Sequence, residues 1–268
     1  MTKEQWEALE VFKADFKDQV EKWARDFPML GQLQKEAALD AKTPEYSFET
    51  PVVYNTDLDR LTKDDEIKLL VIGDNPGKDE QLAKNQRYLV GQAGKIADGF
   101  FKRNPELGID FRKNVVILNK TPVHSAKTAQ LKRIAKLGGE EVASLLVESQ
   151  IWMAQKTAEL HKAFCQKTGS GIAGGSSDGG CELWLVGYSE LKDKALFTQY
   201  RDTLKQTIIN QSPDQWDKVY VFQHFSMNRF TIDLADYEKE NQAGLKNKSL
   251  IEKIHQLGTL HKTEIFGR

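Results

Sequence analysis

The sequence predicts an α/β protein, a three-layer α/β/α sandwich around a central, mostly parallel four-stranded sheet. Four short and continuously apolar runs occupy residues 69–72, 115–118, 183–186 and 219–222, and helical patterns separate them. Continuous apolar runs are typical of strands that are buried on both faces. Helices between successive strands are typical of parallel sheets, because each strand needs a crossover to run in the same direction as the last.

The helices are predicted from apolar residues that recur every three or four positions. Residues 2–25 carry the clearest stripe, made by Trp6, Leu9, Phe12, Phe16 and Val20. Similar patterns predict helices near 33–41, 92–103, 140–167 and 193–210, and a polar, helical C-terminal segment at about 231–268. Residues 52–54 predict one further short strand, and the six glycines of residues 169–180 predict a surface loop.

Composition indicates a globular protein with ordinary proportions of apolar and charged residues. The chain has 268 residues, of which 40% are hydrophobic and 29% charged. We expect one domain over 1–268, with an acidic helical N-terminal extension at about 1–60. Apolar runs long enough to cross a membrane are lacking, and the charged N-terminus does not resemble a signal peptide, so we expect a cytoplasmic protein without a membrane partner.

The two cysteines, Cys165 and Cys181, are too few for a four-thiolate metal or iron–sulfur site. The histidines also lack the spacing of metal ligands. We therefore expect neither a metal nor an organic cofactor.

Charge is distributed unevenly along the chain. Residues 1–66 carry 9 Lys and Arg against 16 Asp and Glu, so the rest of the chain is basic although the net charge is only −1. Seven basic residues and no acidic residue lie within 111–139. A basic face of this kind would suit a phosphodiester partner, and the alternative is a solvated surface with chance clustering.

The residues that follow the four strands are the first place to look for chemistry. Ligands of parallel sheets bind beyond the carboxyl ends of the strands. The segments at these ends are 73–77, 119–120, 187–189 and 224–226. The first continues as GDNPGKDE and presents Asp74, Asn75 and Glu80, although such a turn can also be a plain connection between a strand and a helix.

Four motifs in order, GDNPGKDEQLAKNQRYLVGQAGK, VVILNKTPVHSAK, LWLVGYSELK and VYVFQHFSMNRF, resemble the uracil-DNA glycosylase superfamily over residues 69–230. GDNPG is similar to the Gly-Met-Asn-Pro-Gly and Gly-Ile-Asn-Pro-Gly turns of the single-strand-selective and mismatch-specific branches. RYLVGQAG is similar to the Gly-Arg-Pro-Phe-Val-Gly-Arg-Ala-Gly stretch of the iron–sulfur branch. HFS stands where the family usually has His-Pro-Ser.

The resemblance implies a hydrolysis in which the base leaves as an anion and the sugar becomes cationic. In this scheme His224, as a neutral imidazole, donates a hydrogen bond to O2 of the departing base. Asn75 matches the family residue that positions water, and the carboxylates of Asp74 and Glu80 are alternatives for that role. The resemblance does not decide among these three residues.

The resemblance also implies how the base is read. An amide at Asn119 would donate to O4 of uracil and accept from its N3–H, which cytosine cannot satisfy. Gly73, Gly77, Tyr88 and Leu89 complete the expected base pocket. Leu89 replaces the Phe on which the iron–sulfur branch stacks the base, so Tyr88 is a candidate for stacking.

DNA contacts are expected around this pocket. The target base must leave the helix stack to be reached, and the loop after His224 would fill the gap that it leaves. The residues implied in binding DNA are Lys120, Lys127, Ser226, Met227, Asn228 and Arg229.

The function implied is that of a monofunctional DNA glycosylase acting on uracil or a related deaminated base. Two departures leave the base and the activity open: Phe225 replaces the usual Pro, and Gly77 replaces the Tyr by which another branch excludes thymine. One alternative is a glycosylase-like module that binds nucleic acid without catalysis. Another is an unrelated α/β enzyme that uses the same sheet edge for a small molecule.

Overall fold

A computed structural model describes residues 1–165, 172 and 180–267. The predicted glycine-rich loop at 169–180 lies outside the described residues, apart from Ile172 and Gly180. The buried apolar side chains of the described chain form one connected core, which extends from Leu9 near the N-terminus to Ile265 near the C-terminus.

The core is built on a four-stranded parallel sheet. Its strands are β1 (Leu69–Gly73), β2 (Val115–Asn119), β3 (Glu182–Val186) and β4 (Val219–Phe222). They lie in the order β2-β1-β3-β4, with Gly73 opposite Asn119 at the end of the β1–β2 pair. Every strand residue is buried, as expected for strands covered on both faces. The predicted α/β fold class is confirmed.

Helices cover the two faces of the sheet because parallel crossovers are right-handed. The connection from β1 to β2 runs toward one edge of the sheet, whereas the connections from β2 to β3 and from β3 to β4 run toward the other edge. The helix of the first connection, α3, therefore lies on the face opposite α4 and α5, which belong to the other two connections. The helices are α1 (Lys3–Asp26), α2 (Leu30–Asp40), α3 (Gln92–Arg103), α4 (Gln130–Phe164), α5 (Thr198–Gln211), α6 (Arg229–Glu240), α7 (Gln242–Leu245) and α8 (Leu250–Phe266).

Trp184 of β3 is the centre of an aromatic cluster on the face of the sheet that α3 covers. Its ring lies 5.8 Å from the ring of Phe101 in α3 and 5.9 Å from that of Phe230 in α6. It also lies 4.9 Å from the ring of Phe222 in β4. The start of α6 is thereby fixed against the sheet, and this matters because the residues just before α6 form part of the site described below.

The N-terminal extension packs on the opposite layer. A capping box at Thr2 and Gln5 begins α1. The rings of Phe16 and Trp23 lie 5.7 Å and 5.8 Å from that of Trp152 in α4. The extension therefore shares the core with the sheet-bearing part of the chain.

Two predicted elements differ from the structure. α4 begins ten residues before the predicted position, and Gly139 interrupts it with a φ of +69°. Glycine is unfavourable inside a helix, so the pair at 138–139 weakens the sequence signal although the chain is helical on both sides. Residues 52–54 do not form a strand; Val52 makes only an isolated antiparallel bridge with Val123. Across the described ranges, no helix is long and apolar enough to cross a membrane.

Candidate active site

A cleft of about 970 Å³ opens at the carboxyl edge of the sheet. β1 and β3 are neighbours there, and their chains leave in opposite directions, toward β2 and β4. Such a switch point is where open α/β sheets bind ligands. Three segments that are distant in the sequence meet in the cleft, since its lining includes Asp74, Asn119 and His224. Among the other predicted residues, Asn75, Gly77, Glu80, Leu89, Lys127, Ser226, Met227 and Arg229 also line it.

Asn119 presents an unused hydrogen-bond donor in the cleft. Its side chain stands at the end of β2 and the residue is only 2% exposed. A Cβ atom at Gly73 would lie 2.4 Å from Asn119 Oδ1, so a glycine at position 73 makes room for this amide. Asn119 Nδ2 is buried and has no hydrogen-bond partner within the part of the chain that the structure describes. Buried donors are almost always paired, so this one is suited to a ligand acceptor.

His224 is held in one tautomer. The backbone N–H of Ser226 donates to His224 Nδ1 at 3.0 Å, and Ser226 Oγ lies 2.8 Å from the same nitrogen. Because Nδ1 accepts, a neutral ring carries its proton on Nε2. Burial lowers the pKa of His224, while the nearby Asp74 opposes this effect and Lys120 adds to it. The imidazole is therefore a neutral donor at the cleft.

Asp74 contributes a carboxylate to the cleft, directly after β1. Its Oδ1 accepts a hydrogen bond from Lys120 Nζ at 2.6 Å. Oδ2 has no hydrogen-bond partner among the described residues and is free to bind water or a ligand. A Cβ atom at Gly187 would lie 2.3 Å from Asp74 Oδ1, so the glycine after β3 provides the space for this side chain.

The structure corrects the predicted role of Lys120. Its side chain is fully buried and lies beneath Asp74, not at the surface. A buried ammonium cannot contact a DNA phosphate. The burial of Lys120 could not be predicted from the sequence, because the ion pair that holds its amine joins residues 46 positions apart.

The other two candidates for water positioning are already engaged by the protein. Asn75 Nδ2 donates to Ser125 Oγ at 3.0 Å and to the carbonyl oxygens of Ser125 and Pro76. Glu80 accepts from the N–H of Gly77 at 3.1 Å through Oε2, and from the N–H of Leu89 at 2.9 Å through Oε1. Burial raises the pKa of Glu80 to about 7, and the two backbone donors oppose this rise. Both residues brace the turn after β1.

The structure also corrects Tyr88 as a base-stacking residue. Tyr88 is fully buried, lies away from the cleft lining and donates its hydroxyl to Val53 O at 2.6 Å. Leu89 does reach the cleft, in a left-handed conformation with φ +51°. A Cβ atom at Gly94 would lie only 1.5 Å from Leu89 O, so this glycine permits the close approach of α3.

The segment after His224 forms an exposed rim. Met227 and Asn228 both adopt left-handed backbone conformations, with φ values of +53° and +57°. The Met227 side chain is 73% exposed. Arg229 and Lys127 are exposed on the cleft rim, whereas Asn228 lies just outside the lining.

The basic region at 111–139 is not a single basic face. Arg112 lies 3.3 Å from Asp57, and Arg133 lies 2.6 Å from Asp40. With Lys120 buried, the basic residues of this region that remain exposed are Lys113, Lys127, Lys132 and Lys136.

Several residues of the cleft were not selected from the sequence. Ser125 anchors the amide of Asn75, and Glu190 and Gln223 line the cleft after β3 and β4. Glu190 and Gln223 were detectable, because they lie within a few residues of strand ends. None of the described residues that line the cleft is Phe, Tyr or Trp, so the imidazole of His224 is the one ring among them.

In the described ranges no group of three or more His, Cys, Asp or Glu side chains is arranged to hold a metal ion. Comparisons with models of protein families, with curated proteins and with solved structures found no match.

Proposed function

We propose that the protein is a monofunctional DNA glycosylase that hydrolyses the N-glycosidic bond of uracil or a related deaminated base. The observation that carries the proposal is the buried and unpaired Nδ2 of Asn119 in the same cleft as His224 and Asp74. Departure of a base needs a donor for the developing anion and a negative charge near the developing cation. Recognition of the base needs an amide that can both donate and accept.

Each residue then has one task. Asn119 Nδ2 donates to a carbonyl of the base, and its Oδ1 accepts from the neighbouring ring N–H. His224 Nε2–H donates to the O2 oxygen as negative charge develops there. Asp74 Oδ2 holds the attacking water and offsets the positive charge on the sugar. Among the three candidates, Asp74 suits this task because its Oδ2 has no partner among the described residues, whereas both carboxylate oxygens of Glu80 accept backbone N–H groups and the amide of Asn75 is bonded to Ser125.

The rim supports a nucleic-acid substrate. A base must be turned out of the duplex to reach the cleft, and an exposed apolar side chain can occupy the space it leaves. Met227 is such a side chain, and Arg229 and Lys127 are cations beside it. The cleft volume of about 970 Å³ is at the upper end of ordinary ligand pockets, which leaves room for a nucleotide.

Base release from defined oligonucleotides tests the proposal. Wild-type protein is expected to release uracil, xanthine or hypoxanthine from at least one single- or double-stranded substrate. His224→Ala and Asn119→Ala are expected to abolish release, whereas Asn247→Ala, an exposed asparagine outside the cleft, keeps it. Absence of release from all of these substrates would remove the enzymatic proposal.

One observation favours a second candidate, a module that binds DNA without catalysis. The described lining residues of the cleft include no Phe, Tyr or Trp, so an extruded base would lack the large ring on which a base stacks best. Binding to DNA that survives His224→Ala, together with no release of any base by the wild type, would select this candidate.

A further inference from the structure

Lys120 is a fully buried charged residue that the reaction scheme above does not use. Its Nζ donates to Asp74 Oδ1 at 2.6 Å, to Val186 O at 2.6 Å and to Gly73 O at 3.3 Å. A protonated amine has three N–H donors, so all three are engaged. One cation at the end of β2 thereby joins the carboxyl ends of β1 and β3.

The hydrogen-bond partners of this amine suit its charged form, whereas burial opposes it. A neutral amine offers only two N–H donors for three acceptors. Burial lowers the pKa of Lys120, whereas the negative charges of Asp74 and Glu190 oppose that change. The ring of Phe197, with its centroid 5.2 Å from Nζ, adds a further attraction to the cation.

The same contacts determine the orientation of Asp74. Oδ1 is fixed on the lysine, and Gly187 leaves space on the side of β3 for that oxygen. Oδ2 of Asp74 has no partner among the described residues and is available to the cleft. Without the lysine, the carboxylate would lose the contact that fixes its rotation.

We propose that Lys120 is a positioning residue, which holds the Asp74 carboxylate by its Oδ1 and directs its Oδ2 into the cleft. This inference rests on the proposed function only for its effect on catalysis. The contact between Lys120 and Asp74 is independent of the reaction. Lys120 itself does not reach the substrate, since it is buried and its three donors are occupied.

The kinetic test is a double-mutant cycle on Lys120 and Asp74, with Lys22→Met as a matched control at an exposed position. Asp74→Asn is expected to lower kcat by about 100-fold or more. Lys120→Met is expected to lower kcat by about 10- to 100-fold with little change in KM, and to move the acidic limb of the kcat profile to higher pH by about 1–3 units. Because Lys120 acts through Asp74, Asp74→Asn and the double variant should have the same kcat within about twofold.

The cycle also identifies a merely structural lysine. In that case Lys120→Met lowers activity equally at all pH values, and the losses of the two single variants multiply in the double variant. Either result overturns the proposal. If Lys120→Met does not fold, a folded double variant that behaves as Asp74→Asn supports it, because the unpaired carboxylate is then the cause. Failure of both to fold overturns it.

A titration of the Asp74 side-chain carboxyl carbon by NMR separates this proposal from the proposed function. The charged or polar groups that bear on this titration are Lys120 directly after β2, Glu190 after β3 and His224 after β4, with Asp79, Glu80, Lys78, Lys127 and Arg229 elsewhere in the cleft. If no base is released by the wild type, the positioning role still requires the signal of this carbon to titrate at a higher pH in Lys120→Met than in the wild type, because the variant removes the adjacent positive charge. An unchanged titration overturns it.

Discussion

The unpaired amide of Asn119 is expected to lower the stability of the free protein while it serves the binding of the base. A buried donor without a partner costs about 1–3 kcal/mol in the free protein. Asn119→Leu replaces the amide with an apolar group of similar shape and removes that cost. The free energy of unfolding is therefore expected to stay constant or to rise by up to about 2 kcal/mol, because the transfer of the leucine into the cleft wall is also favourable.

The same substitution is expected to impair base release. Two hydrogen bonds to the base are lost, and at about 1.5 kcal/mol each the loss is about 3 kcal/mol, or roughly 100-fold in kcat/KM. Unfolding in urea gives the first quantity and release of uracil from an oligonucleotide gives the second. The two measurements should move in opposite directions.

Asn55 supplies a matched control. It is also a fully buried asparagine, but its Nδ2 donates to Ile117 O at 2.8 Å and its Oδ1 accepts from the N–H groups of Asp57 and Tyr88. Asn55→Leu leaves those groups unpaired and is expected to destabilise the fold by about 2–3 kcal/mol. If Asn119→Leu were as destabilising as Asn55→Leu while kcat/KM stayed at the wild-type value, Asn119 would be a structural residue and the reasoning would be refuted.

Three further predictions concern the surroundings of this amide. Gly187→Ala places a side chain on a backbone with φ +99° and directly against Asp74. The free energy of unfolding, measured in urea, is expected to fall by about 1–3 kcal/mol, and kcat for base release is expected to fall as well. The pKa of Glu80 is raised to about 7, so its carboxyl group in the folded protein holds a proton that the unfolded chain releases near pH 4.5. The free energy of unfolding of the wild type should therefore fall by about 3 kcal/mol as the pH rises from 4.5 to above 7. Glu80→Gln should lack this pH dependence, and parallel profiles of the two proteins would contradict the assignment. Met227→Ala should lower release from double-stranded DNA by about 10-fold and leave single-stranded release unchanged, because only the duplex has a gap to fill; equal losses on both substrates would argue against an inserted side chain.

The sheet can be predicted from the sequence because its signal is local. Each strand is a short apolar run that ends in a glycine or a polar residue, and the structure places all four within one residue of the expected bounds. Parallel pairing then brings the strand ends to one edge. The convergence of Asp74, Asn119 and His224 follows from that arrangement, although their roles stay predictions.

Lys120 and Tyr88 could not be assigned in this way. Both lie beside residues that do line the cleft, and the sequence alone does not say which of two neighbours points inward. Lys120 is buried because β1 lies between β2 and β3, and this strand order brings Asp74 and Val186 to its amine. Tyr88 is buried because its hydroxyl finds a carbonyl in the N-terminal extension, at Val53. Long-range partners of this kind leave no periodic signal.

Several locally unfavourable features lie at the carboxyl edge of the sheet. Asn119 keeps an unpaired donor, Lys120 is a buried cation, and Leu89 and Met227 adopt backbone conformations that cost a non-glycine residue about 1 kcal/mol or more. Such features also occur elsewhere in the described chain, since His161 Nδ1 is buried without a hydrogen-bond partner and Lys42 has a positive φ. The donor of Asn119 differs from these because it lines a cleft together with Asp74 and His224, where a ligand can reach it. This combination of an unpaired donor and an open cleft supports the carboxyl edge of the sheet as the place where this protein acts.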